Sequence, residues 1–187
     1  MEEISFAAGE CFFTVLWLLA RLIVWIRNRR IDWKREAMLI LMYINLAVII
    51  RFSFFPMERS GGRIQPLLFD PGSVFPFDVN LVPFIHMRDY VSDRAELMNF
   101  IGNIAMYIPS GIILPVVYTK LDSFPKTVAA GALICLCVEI LQLPLFVRVS
   151  DVDDIIMNIT GVIIGWCIYA LAGLGAKLIH RCLKGER

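Results

Sequence analysis

Charged residues are scarce in this chain of 187 residues, since Asp, Glu, Lys and Arg together make up 19% of it. The chain has two histidines and five cysteines, and no two cysteines stand in a C-x-x-C pair. It also lacks an H-E-x-x-H motif, a glycine-rich phosphate loop and a Ser-His-Asp order. These absences argue against a thiolate metal site, a structural disulfide and the familiar hydrolase motifs. No nucleic-acid partner is expected.

Apolar residues instead form long blocks, and 58% of the chain is hydrophobic. A helix needs roughly 20 mostly apolar residues to cross a membrane, and the blocks lack the alternation of a membrane β-strand. The sequence therefore predicts an all-α, polytopic membrane protein with one domain over residues 1–187. The five predicted spans are residues 5–26, 37–55, 99–118, 127–146 and 155–179.

Basic residues concentrate in the first-to-second link, the third-to-fourth link and the tail. By the positive-inside rule these segments are cytoplasmic, which places the N-terminus outside and the C-terminus inside. Residues 56–98 then form one long outer loop, whose glycines and prolines predict turns and whose apolar content predicts that it packs back onto the helices or dips into the outer leaflet. The basic residues are Arg27, Arg29, Arg30, Lys34 and Arg35 in the first link, Lys120 and Lys126 in the second, and Lys177, Arg181, Lys184 and Arg187 in the tail.

Polar side chains recur in the outer halves of four predicted spans. They are Arg51 in the second span, Asn99 and Asn103 in the third, Glu139 and Gln142 in the fourth, and Asp151, Asp154 and Asn158 at the start of the fifth. A charge inside a membrane costs at least about 2.5 kcal/mol, so such residues normally face the bundle and mark function. We therefore expect a polar cup in the outer leaflet.

Plainer roles remain open for the same residues. Arg51 and Glu139 could form a buried ion pair that fixes helix register, and asparagines such as Asn103 often serve as hydrogen-bond links between helices. Pro109 and Pro115 predict a kink in the third span, with the freed carbonyls satisfied inside the bundle.

The aspartates at the start of the fifth span also allow two interpretations. Asp151, Asp153 and Asp154 could cap the helix, for which one carboxylate suffices. Together with Asn158 they could instead supply oxygen ligands to Mg²⁺ or Ca²⁺, although the spacing is not that of an EF-hand loop. A divalent cation is the only cofactor that the sequence leaves open.

Five segments, in order, resemble the signature blocks of the VanZ-like family of bacterial membrane proteins. They are RFSFFP (51–56), VNLVPF (79–84), NFIGNIAMYIPSGIILP (99–115), EILQLP (139–144) and DVDDIIMNITGVIIGW (151–166), within about residues 45–170. The positions that match the family pattern are Arg51, Asn80, Pro83, Phe84, Asn99, Asn103, Pro109, Gly111, Glu139, Gln142, Asp151, Asp154, Asn158 and Gly161. Ser110 stands where the family often has leucine.

The resemblance implies a protein of the bacterial cell membrane that contributes to low-level resistance to teicoplanin-type lipoglycopeptides. The first hypothesis is that the cup, with Arg51 as its anion anchor, binds a lipid headgroup, a lipid-linked cell-wall precursor or the antibiotic. The second is a membrane-embedded hydrolase or transferase for a lipid-linked substrate, with Glu139 as general base and Asp154 among the groups that hold a cation. The third is a structural docking partner of cell-wall enzymes.

Overall fold

The computed structural model describes residues 2–55, 59–60, 63–70, 72, 79–80, 82–83, 94–145 and 150–184. These residues contain five long helices, each long and apolar enough to cross a membrane. The helices are α1 (Phe6–Asn28), α2 (Trp33–Phe54), α3 (Arg94–Val117), α4 (Phe124–Gln142) and α5 (Val152–Lys184). This confirms the prediction of an all-helical protein with five helices of membrane-spanning length and hydropathy.

A side-chain cap on α2 and a proline in the first turn of α4 explain why these two helices begin earlier than hydropathy alone predicts. Helix α2 starts at residue 33 rather than 37 because the Asp32 carboxylate accepts hydrogen bonds from the backbone N–H groups of Lys34 and Arg35, at 3.1 and 3.2 Å. Helix α4 starts at Phe124 and has Pro125 in its first turn, where a missing N–H costs no hydrogen bond.

Helices α3 and α5 form the closest pair in the bundle, because glycines lie where their backbones meet. A Cβ atom on Gly161 would lie 2.2 Å from the carbonyl oxygen of Ile104, and one on Gly165 would lie 2.1 Å from that of Ile108. On α3, a Cβ on Gly111 would meet the Val162 carbonyl oxygen at 2.2 Å. No side chain fits at these three positions without moving a backbone.

The buried apolar residues form two clusters along the bundle. The first joins α2 and α3 through Leu39, Met42, Ile113, Leu114 and Val117. The second joins α2, α3, α4 and α5 through Ile49, Tyr107, Cys135, Val138 and Val162.

Helix α1 has no buried residue and attaches to α2 by polar and aromatic contacts. The hydroxyls of Thr14 and Tyr43 lie 2.7 Å apart, and Phe13 stacks on Tyr43 at 5.5 Å between ring centroids. Arg21 forms an ion pair with Glu36.

Short strands tie the long loop to the helices, whereas the sequence predicted turns there. The strands are β1 (Glu2–Ile4), β2 (Arg59–Ser60), β3 (Arg63–Ile64), β4 (Leu67–Phe69), β5 (Val79–Asn80) and β6 (Ser150–Asp151). Strand β4 pairs with β1 in antiparallel register, and β5 pairs with β6 in parallel. Phe69 also bridges to Leu145, and the Asp70 N–H donates to the Pro144 carbonyl at 2.9 Å. The described parts of the loop therefore pack onto the end of the bundle where α1 and α5 begin and α4 ends.

Candidate functional site

The predicted polar residues meet at the end of the bundle that the loop covers. We call eight of them the polar cluster: Arg51, Asn80, Asn103, Glu139, Gln142, Asp151, Asp154 and Asn158. Four are buried, with exposed fractions of 9% for Asn103, 5% for Glu139, 6% for Gln142 and 4% for Asn158. The other four are partly exposed. The cluster therefore has a buried interior and an accessible margin.

Three hydrogen bonds in the interior each join a different pair of helices. The Gln142 amide donates to the carbonyl oxygen of Ser53 at 2.5 Å, which links α4 to α2. Asn103 donates to the Asp154 carboxylate at 2.6 Å and links α3 to α5. Asn158 donates to the sulfur of Cys135 at 3.3 Å and links α5 to α4. The interior thus holds four helices in register.

Tyr107 completes this interior, although it is not among the predicted site residues. It is fully buried and belongs, with Cys135 and Val138, to the apolar cluster that joins α2, α3, α4 and α5. Within the described part of the chain, neither the Tyr107 hydroxyl nor the Asn158 amide oxygen has a hydrogen-bond partner of normal geometry. The Tyr107 hydroxyl and the Asn158 amide oxygen could therefore each form a further hydrogen bond within the interior.

Asp151 caps helix α5 and fastens the loop to it. One carboxylate oxygen accepts from the Asp153 backbone N–H at 2.9 Å, as an N-cap does, and the other accepts from the Asn80 amide at 3.1 Å. The Asn80 side-chain oxygen accepts in turn from the Val82 N–H at 3.1 Å. Asp151 thus has the capping role that the sequence allowed for one aspartate, and Asn80 is a loop anchor.

Arg51 lies at the margin of the cluster among aromatic rings. Its guanidinium donates to the carbonyl oxygen of Phe55 at 3.1 Å and lies 5.5 Å from the ring centroid of Phe6 and 5.4 Å from that of Phe52. Phe55 is buried and meets Phe6 edge to face at 5.2 Å. Because cation–π contacts and a carbonyl acceptor constrain the guanidinium, it has a defined position at the end of α2. The ion pair between Arg51 and Glu139 stays a prediction.

Three predicted positions lie apart from the cluster or outside the described residues. Asn99 lies one turn before Asn103 on the same face of α3, but it is exposed and so lies outside the buried interior of the cluster. Pro83 is also exposed, and Phe84 lies outside the described residues.

Asp151, Asp153 and Asp154 are also the predicted ligands of a divalent cation. Asp151 and Asp154 each accept a hydrogen bond from an asparagine amide. Among the described residues, no group of three His, Cys, Asp or Glu side chains is arranged to hold a metal ion. Cation binding stays a prediction.

Sequence reasoning missed a buried polar pair in the middle of the bundle. Asn45, 5% exposed, donates to the Met106 carbonyl at 2.8 Å and accepts from the Ser110 hydroxyl at 2.5 Å. Pro109 lacks the N–H that would bond to the Ala105 carbonyl, and the Asn45 amide bonds to the neighbouring carbonyl, that of Met106. The sequence did contain a signal for this pair, because Asn45 is an amide inside an apolar span, about two turns before Arg51. Ser110, which departs from the family pattern, therefore has a specific partner.

The comparison with protein families covers the part of the chain in which these positions lie. A family model described as VanZ/LLP1 matches residues 37–173 of the chain. The matched part begins within α2, ends within α5 and contains the whole polar cluster, whereas α1 lies outside it. No curated protein and no solved structure gives a significant match.

Proposed function

The chain belongs to the VanZ/LLP1 family, and from this premise we propose that it lowers the susceptibility of a bacterial cell to teicoplanin-type lipoglycopeptides. It does so by binding, at the polar cluster, the polar headgroup of a lipid-linked cell-wall precursor. The same site also suits two other ligands that carry phosphate or carboxylate groups, namely a membrane lipid headgroup and the polar part of the antibiotic. The multi-pass architecture fits a ligand that is itself held in the membrane.

The observation that carries this proposal is the position of Arg51. Arg51 is partly exposed, and its guanidinium is held by Phe6, Phe52 and the Phe55 carbonyl. A constrained arginine loses little conformational freedom when it binds. Its planar array of donors suits phosphate or carboxylate, and charge-assisted hydrogen bonds of this kind are stronger than neutral ones.

The proposal also requires the polar cluster to face outward. The positive-inside rule predicts that it lies at the outer leaflet, where a flipped lipid-linked precursor and an acylated antibiotic both meet the membrane. A Glu3→Cys chain should then react with a membrane-impermeant thiol reagent on intact cells, because β1 lies at the same end as the cluster. Reaction only after permeabilisation would contradict this orientation.

The binding role predicts that Arg51→Gln abolishes protection. Wild type, Arg51→Gln and Arg27→Gln are each expressed in a sensitive Gram-positive host, with inhibition by teicoplanin and the amount of chain in the membrane measured on the same cells. Arg27 is exposed in the last turn of α1, away from the polar cluster, and provides the matched loss of one charge. We expect Arg27→Gln to protect like wild type and Arg51→Gln, at equal abundance, to give no protection. Full protection by Arg51→Gln at equal abundance would overturn the binding role.

A structural role is the second candidate, because three interior hydrogen bonds join helices. In that case substitutions such as Gln142→Ala would lower the amount of folded chain, and protection would fall only in proportion to abundance.

The hydrolase hypothesis would require Glu139 and Asp154 to act on bound substrate, so their amide variants would keep binding and lose turnover.

A further inference from the structure

A cavity of about 700 Å³ lies at the other end of the bundle from the polar cluster. It is bounded by the start of α2, the end of α3 and the short turn Thr119–Leu121 that follows α3. Ligand pockets in proteins typically measure about 300–1,000 Å³, so its volume suits a small polar group with part of an apolar tail. It contains no member of the polar cluster.

Three basic side chains surround this cavity. Lys34 and Arg35 come from the first turn of α2, and Lys120 comes from the short turn after α3. The acidic residue in the lining is Asp32, whose carboxylate accepts hydrogen bonds from the N–H groups of residues 34 and 35 and is thereby committed to capping α2. Arg35 also lies 5.9 Å from the ring centroid of Tyr118, which keeps its guanidinium beside the end of α3. The lining therefore has an excess of positive charge drawn from two separate parts of the chain.

The inner wall of the cavity is apolar, because Met38, Val116 and Val117 line it. Trp33, which precedes the basic pair on α2, is 75% exposed. Exposed tryptophans at the ends of spanning helices usually lie at the level of the lipid headgroups. The cavity thus combines a basic opening with an apolar wall at the depth where a phospholipid has its phosphate and the start of its acyl chains.

From this arrangement we infer that the cavity binds an anionic phospholipid. Lys34, Arg35 and Lys120 contact the phosphate, and Met38, Val116 and Val117 contact the upper part of the acyl chains. Basic pockets between spanning helices recognise anionic headgroups in this way. A free phosphate ion would use the basic residues and leave the apolar wall uncovered. The inference does not rest on the proposed function, because it concerns the opposite end of the bundle.

The test is lipid binding to the purified full chain in neutral detergent, measured by native mass spectrometry. Phosphatidylglycerol and phosphatidylcholine are titrated separately, and we expect one phosphatidylglycerol per chain to be held in preference to phosphatidylcholine. The triple variant Lys34→Gln, Arg35→Gln, Lys120→Gln should bind phosphatidylglycerol roughly a hundredfold more weakly, because each basic side chain near an anionic lipid contributes about fivefold.

A second triple variant, Arg27→Gln, Arg29→Gln, Arg30→Gln, removes the same charge from the same end but outside the cavity lining. We expect it to weaken binding by less than about threefold, because solvated charges at a distance are screened by salt. An equal loss in both triple variants would overturn the inference in favour of a diffuse basic surface, as would equal affinity for the two lipids.

Inorganic phosphate added as a competitor distinguishes the two sources of the phosphate group. At millimolar concentration it should leave phosphatidylglycerol bound, because the ion makes no contact with the apolar wall. Complete displacement would overturn the lipid assignment in favour of a free phosphate site. If the cavity triple variant does not fold, Lys120→Gln alone, on an exposed turn, should reduce affinity about fivefold, and unchanged affinity would contradict the inference.

Discussion

At the level of single residues, a buried side-chain pair joins α2 to α3 beside a proline. Pro109 takes one backbone donor out of α3, and the Asn45 amide of α2 donates to the nearby Met106 carbonyl. The Ser110 hydroxyl then donates to Asn45. The sequence indicated a need for polar partners near this proline. It did not identify them, because Asn45 and Ser110 are 65 positions apart and meet only when α2 packs on α3.

Ser110→Ala should therefore destabilise the bundle modestly. It removes a hydrogen bond between helices, which is worth about 0.6 kcal/mol on average and at most about 1.7 kcal/mol in membrane proteins. Thr160→Val is the matched control, because the Thr160 hydroxyl donates within its own helix to the Ile156 carbonyl at 2.7 Å. Reversible unfolding in mixed detergent micelles measures both free energies. A loss for Ser110→Ala no larger than that of the control would contradict a role between helices.

At the scale of whole helices, the crossing of α3 and α5 depends on direct backbone contact. Gly161 and Gly165 are four residues apart on one face of α5, and Gly111 faces them from α3. The sequence contains this small-residue spacing, but hydropathy predicts only where the spans lie. It does not predict which glycines contact another helix. The helix bounds were predictable to within a few residues because about 20 apolar residues must cover the membrane. The short strands were not, because β4 and β5 find their partners in distant parts of the chain.

Gly161→Ala should destabilise the folded bundle strongly, whereas Gly173→Ala on the same helix should not. The added methyl at 161 would lie 2.2 Å from the Ile104 carbonyl oxygen, so α3 and α5 would have to move apart. The expected cost is about 1–3 kcal/mol or more, as for other overpacked sites. At Gly173 a Cβ meets nothing within 4 Å. The same unfolding measurement compares the two variants, and equal stability would contradict the close crossing.

At the scale of the whole molecule, the two ends of the bundle have different chemistry. The end that the loop covers holds the polar cluster with Arg51 at its margin, and the opposite end has the basic cavity between α2 and α3. The sequence predicted that the polar residues would share one depth, because helices of known direction fix the height of each residue. It did not predict which of them would bond to each other. Helix α1, outside the family match, contributes Phe6 to the surroundings of Arg51.

We propose that the polar cluster binds a ligand and does not only hold the helices together. The most direct test is teicoplanin inhibition of cells that express wild type, Glu139→Gln or Glu10→Gln, with the amount of chain in the membrane measured in parallel. Glu139 is buried in the cluster, and its amide variant keeps the shape of the side chain. Glu10 is a glutamate of a spanning helix outside the family match and serves as the control.

If the polar cluster binds a ligand, Glu10→Gln should protect like wild type and Glu139→Gln, present at equal abundance, should not protect. Protection by Glu139→Gln equal to that of wild type would contradict a binding role for the cluster. Loss of the Glu139→Gln chain from the membrane would also contradict it, because Glu139 would then be a residue that holds the helices together.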